Sequence, residues 1–142
     1  MQETEKGDYK WEPGGHPLGK GHESIDIVGS RKGRKLVLVE VELRKDAPLT
    51  NVVKVWRWIV EEEFTTPFVL VQAFSKYYKK GDTKRANAKF VGNRMQKATK
   101  NKYLSLSFEY NPYRHGTQGA GCRRHHARLL ADKVRRMLKK LL

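Results

Sequence analysis

The chain has 142 residues, with 30 Lys and Arg against 15 Asp and Glu, giving a formal net charge of +15. That length suits one domain with a real core, and the recurrence of Val, Leu, Ile and aromatic residues excludes general disorder. No apolar run approaches the ~20 residues needed to span a bilayer, and a single cysteine, Cys122, excludes an internal disulfide. With no signal-like apolar stretch near the N-terminus, a cytoplasmic protein is expected.

The charge is unevenly distributed. Residues 1–63 hold 11 Lys/Arg and 12 Asp/Glu, whereas residues 64–142 hold 19 Lys/Arg and 3 Asp/Glu. Such a field concentrates polyanions and speeds their association. Nucleic acid is the polyanion expected, with an anionic membrane surface as the rival.

Residues 1–21 carry Gly, Pro, Lys and Glu, which predicts a flexible or surface-wrapping N-terminal arm, with a weak strand signal at Tyr9–Trp11. Residues 22–142 then form a single domain. Ser24 to Val28 reads as a short strand, with Ile25 and Ile27 on one face and Asp26 on the other. Gly29 to Gly33 reads as a turn, and Lys35 to Leu43 as the returning strand of a hairpin. Leu36-Val-Leu-Val39 is apolar on both faces, as in a strand covered on both sides.

Residues 51–63 predict a helix capped by Thr50 or Asn51, with Val52, Val55, Trp56, Ile59 and Val60 along one face. Residues 67–74 read as a buried strand, in which Gln72 is the one polar member. Residues 84–100 predict a basic helix with a thin stripe of Phe90, Val91, Met95 and Ala98. Residues 103–110 alternate cleanly, and 123–142 form an amphipathic helix with Leu130, Val134, Met137, Leu138 and Leu141 on its apolar side. The order β-β-α-β-α-β-α implies an α/β sandwich with a mixed sheet, including a parallel strand–helix–strand crossover.

Three acids stand out. Asp26 and Glu40 are 14 residues apart across the expected hairpin, and Glu42 lies two further along the same face. Carboxylates packed together repel unless protonated or neutralised by a cation. Hard oxygen ligands suit Mg²⁺, with Mn²⁺ as a substitute. Such an ion polarises a phosphoryl oxygen and activates water for phosphodiester hydrolysis. The plain alternative is that Glu-Val-Glu is the solvated face of a half-buried sheet.

The pattern Ile25-Asp26-Ile27, then Glu40-Val41-Glu42, then a helix and an apolar strand, resembles the restriction-endonuclease-like superfamily with its PD-(D/E)xK motif. The similarity is greatest to its small Holliday-junction-resolvase and restriction-enzyme members, and it covers about residues 22–75. The resemblance implies a three-layer sandwich around a central mixed β-sheet. It also implies a Mg²⁺-dependent deoxyribonuclease with Asp26, Glu40 and Glu42 as catalytic and metal-binding residues. Most members have Lys where this chain has Glu42; Lys45 or Lys54 would then supply the amine. Glu23 would be a further ligand, and Gln72 a polar residue lining the site. A relative that keeps the fold and binds DNA or RNA without cutting it is the alternative.

The basic tract Lys76, Lys79, Lys80, Lys84, Arg85, Lys89 and Arg94, with Tyr77 and Tyr78 inside it, suits phosphate contacts plus stacking on bases. DNA is the expected partner, RNA the second. Cutting both strands of a duplex implies a homodimer. Cys122-x-x-His125, with His115 and His126, has zinc-like spacing but lacks a second cysteine pair, so the histidines are expected to lie near phosphate.

Overall fold

The computed structural model describes residues 9–13, 24–31, 36–44, 47–61, 66–112 and 120–141. Alternation of side chains along the strands builds a five-stranded sheet from β1 (Lys10–Pro13), β2 (Ile27–Ser30), β3 (Leu36–Glu42), β4 (Phe68–Phe74) and β5 (Lys102–Ser107), in that spatial order. The pairs β1–β2 and β2–β3 are antiparallel, while β3–β4 and β4–β5 are parallel. The parallel pairs need crossovers, supplied by α1 (Pro48–Val60) and α2 (Thr83–Ala98). A third helix, α3 (Ala120–Leu141), follows β5. Residues 10–13 of the expected arm thus form an edge strand of the sheet.

The two faces of the sheet collect separate cores. Leu38, Leu70, Phe74 and Tyr103 pack with Val52, Val55 and Trp58 of α1 and with Ala88 and Met95 of α2. Val37, Val39, Val69, Val71 and Leu106 pack on the other face against Leu130, Val134 and Leu138 of α3. Helices on both faces make three layers, and the two-faced apolar runs of β3 and β4 are what such burial requires.

Several sequence expectations shift. The strand predicted from Ser24 begins at Ile27, and Gly29 and Ser30 extend it instead of turning. Ile25 therefore does not share a face with Ile27. It joins the core under α1, while Ile27 packs on the α3 side. The cause is a bend at Asp26, whose carboxylate takes the backbone N–H of Val41.

Helix α1 starts three residues earlier than predicted, with Pro48 at its first turn and Ala47 as an N-cap that makes no side-chain cap bond. Its buried line is Pro48, Val52, Val55 and Trp58, leaving Val60 69% exposed. On α2 the inward residues are Ala88, Gly92 and Met95, so Phe90 faces out. A glycine is needed at 92 because the Tyr103 ring of β5 lies over it, 2.5 Å from where a Cβ would stand. This close approach lets α2 lie down on the sheet.

Candidate active site

The β2–β3 ladder pairs Ile27 with Val39, and continuing the register by one residue sets Asp26 opposite Glu40. Asp26 Oδ2 accepts the Val41 N–H at 2.7 Å, taking the place of a backbone carbonyl where β2 bends away. Glu40 points to the face that α1 covers and is 4% exposed. Opposite it, Lys54 of α1 donates from Nζ to Glu40 Oε1 at 2.6 Å, to the Ser24 carbonyl at 2.6 Å and to Asn51 Oδ1 at 3.4 Å. An ammonium has three N–H donors, and here all three have acceptors. Its charge also lies 5.6 Å from the Trp58 ring centre.

The electrostatics of Glu40 follow from this setting. Burial pushes its pKa from 4.5 up to about 8. The Lys54 ammonium opposes that rise by hydrogen bond and charge, and the Asp26 carboxylate adds to it by charge and hydrogen bonding. Near pH 7 the Glu40 carboxyl is therefore held largely in its protonated form.

Glu42 belongs to a different arrangement. It is 1% exposed, and its Oε1 accepts from Asn51 Nδ2 at 2.7 Å and Gln72 Nε2 at 3.0 Å. Gln72 also donates to the Pro48 carbonyl at 2.9 Å, and its Oε1 accepts from the Tyr103 hydroxyl at 2.6 Å. These bonds fix which way the amide points. Burial pushes the Tyr103 phenol well above its ordinary pKa, so it stays a donor. The network fastens β3, β4 and β5 to the first turn of α1, and thereby sets Lys54 over Glu40.

The structure therefore brings Asp26, Glu40 and Lys54 together, and recruits Gln72 and Glu42 as a support. The expected three-carboxylate cluster is not formed, because Asn51 and Gln72 draw Glu42 into the sheet–helix joint. Among the described residues no three His, Cys, Asp or Glu side chains are grouped to hold an ion. Glu23, Lys45 and His115 lie outside the described residues, as does the side chain of Cys122. His126 is buried edge-on to Tyr110, at 5.5 Å between ring centres.

Asn51 and Tyr103 were missed as site residues. The signal for Asn51 was its place three residues before Lys54, on the same side of a helix; as a predicted cap it was assigned elsewhere. Tyr103 carried no signal, since its partner Gln72 is 31 residues away.

The basic tract lies across the C-terminal ends of β4 and β5 and along α2. Lys76, Lys79, Lys80, Lys84, Lys89 and Arg94 are exposed and Arg85 is half-buried. Tyr78 does not stack on bases from here: it is 2% exposed and packs edge-on to Phe74, 5.3 Å between centres. Tyr77 is half-buried against it. Both sites occupy the edge of the sheet where parallel strands end, the usual place for ligands in such folds. No helix is long and apolar enough to cross a membrane, among the described residues. No protein-family model, curated protein or solved structure matches the chain.

Proposed function

We propose that the protein is a metal-dependent endonuclease that hydrolyses phosphodiester bonds of DNA, as a divergent relative of the PD-(D/E)xK nucleases. One observation carries the reading: Asp26, at the bend before β2, stands beside Glu40 of β3, with Lys54 from the following helix bonded to Glu40 at 2.6 Å. Two hard carboxylates whose mutual charge raises a pKa fit a divalent cation such as Mg²⁺. When bound, Mg²⁺ or Mn²⁺ supplies Lewis-acid polarisation of a phosphoryl oxygen and an acidified water.

The chain's own residues do the rest. Asp26 and Glu40 would hold the ion. Lys54, in place of the motif lysine that Glu42 replaces, keeps Glu40 oriented and puts a positive charge beside the reacting phosphate. Glu42, Gln72 and Tyr103 keep that helix in position. The basic surface from Lys76 to Arg94 binds the nucleic-acid backbone. Cutting both strands of a duplex would require two such sites, and hence a homodimer.

The test is incubation of purified protein with duplex, single-stranded and branched DNA, with Mg²⁺ or with EDTA, beside Glu40→Gln. Cutting that needs Mg²⁺ and vanishes in the variant is expected. Equal cutting by the variant refutes the site assignment. Binding to all substrates with no cutting favours a non-catalytic nucleic-acid-binding module, and the same panel in RNA tests the second substrate class.

A further inference from the structure

A second site lies beyond the carboxylates. Between the loop after β4, the first turn of α2 and the end of β5 is a cavity of about 560 Å³. Five cations line it against two carboxylates. Both carboxylates are already engaged. Asp82 caps α2 by accepting the Arg85 N–H at 3.1 Å, and Glu109 pairs with Lys76 at 2.7 Å. Five cations against two carboxylates leave an excess of three positive charges to dominate the cavity.

The cations are placed by distinct local devices. The Lys79 carbonyl accepts the Asp82 N–H at 2.9 Å, closing a turn. That turn needs Gly81 in the left-handed region, at φ +89°. It presents Lys79 and Lys80 at the mouth and leads directly into the α2 N-terminus, whose dipole adds to the field. Arg85 is the fixed member. Its Nη1 donates to Ser107 Oγ at 2.7 Å, and its guanidinium lies 4.8 Å from the Phe74 ring centre. Burial lowers its pKa from the usual guanidinium value, a cost an anion alongside would offset. A guanidinium held from one side, with flexible ammonium groups around it, is suited to a phosphate.

Register places this cavity relative to the carboxylates. Ser107 is aligned with Phe74, and Phe74 with Glu42. Ser107 is therefore two strand spacings, about 10 Å, from the end of β3.

We propose that this cavity is a subsite for one backbone phosphate of the bound DNA strand, on the same edge of the sheet as Asp26 and Glu40. It rests on the nuclease reading for the identity of the ligand, but its binding role is independent of cutting. The subsite anchors the strand by a phosphate, so it fixes where the strand lies without reading bases.

The experiment measures binding in EDTA by fluorescence anisotropy, where no cutting occurs. A labelled duplex is titrated against wild type, against Lys79→Ala/Lys80→Ala/Lys89→Ala, and against Arg136→Ala/Lys139→Ala/Lys140→Ala. The last removes equal charge from the exposed side of α3. All six side chains are exposed, so both variants should fold as wild type, which thermal melts check. In the cavity variant the slope of log K against log salt should fall in magnitude by about 1 for each lysine that meets a phosphate, while the α3 variant changes little.

A second series replaces single phosphates by neutral methylphosphonates. One position should weaken binding to wild type and have no effect on the cavity variant. Equal losses in the two triple variants, or a methylphosphonate effect that persists in the cavity variant, would overturn the subsite. Inorganic phosphate is titrated separately; if it saturates the cavity at micromolar concentration while duplex affinity is unchanged by the substitutions, the site is for free phosphate and the proposal fails. Loss of cutting in Glu40→Gln with unchanged binding leaves the subsite standing, and the reverse leaves the carboxylate site standing.

Discussion

Replacing Glu40 with glutamine separates the chemistry of this carboxyl from its shape. Its pKa of about 8, against an ordinary 4.5, corresponds to about 5 kcal/mol between its neutral and ionised forms at ~1.36 kcal/mol per tenfold. Because the folded value is the higher one, the stability this contributes is fully present below pH 4.5 and is lost as pH rises to about 8. Most of that loss has occurred by neutral pH; about 1 kcal/mol of it remains between pH 7 and pH 9.

Glutamine resembles the protonated acid and does not titrate. Wild type should therefore lose about 1 kcal/mol more than Glu40→Gln between those two pH values, read from urea unfolding in EDTA. Asp26 raises the pKa of Glu40, so Asp26→Asn should move the transition to lower pH. Parallel pH–stability curves for wild type and Glu40→Gln would refute the buried, proton-holding carboxyl. Added Mg²⁺ should stabilise wild type more at pH 9 than at pH 6, since binding displaces the proton, and should leave Glu40→Gln nearly unmoved.

Lys54→Met removes the ion-pair partner of Glu40 while keeping the length of the side chain; the Glu40 pKa should rise further, and the Mg²⁺ concentration for half-maximal cutting at pH 7 should increase at least tenfold. Unchanged metal dependence would remove Lys54 from the site. Tyr103→Phe deletes the donor to the buried Gln72 carbonyl and should cost about 1–3 kcal/mol in urea unfolding, with the midpoint, not the slope, changing. Gly92→Ala drives a methyl into the Tyr103 ring, which is core and cannot swing out; a loss of about 1–3 kcal/mol is expected, measured by thermal melting, and a neutral result would mean α2 does not pack so closely.

The identity of the elements was legible in the sequence because each depends on local pattern. The doubly apolar run Leu36–Val39 demanded cover on both faces, and β3 has it. Alternation over 103–110 and the Leu130-Val134-Leu138 spacing marked a strand and a helix with one apolar face each, and the structure packs Leu106 against that helix face. Asp26 and Glu40 were legible as a pair because a hairpin register is a short-range property. The lysine that would complete the site was narrowed to a choice between Lys45 and Lys54, and only the helix's rotation about its axis distinguishes Lys54 as a partner of Glu40.

What tertiary structure decided was which polar and aromatic groups met once the elements packed together. Glu42 looked like a ligand because it lies on the same strand face as Glu40. It became a joint because Asn51 and Gln72, 9 and 30 residues away, donate to it. Tyr78 looked like a base-stacking residue in a basic loop and became core because Phe74 packs on it. Ile25 changed faces because one side chain, Asp26, displaced a ladder bond. In each case sequence spacing fixed which residues were near one another along the chain. The competition of polar groups for buried hydrogen bonds determined what they did there, and it runs between chain segments that no local pattern connects.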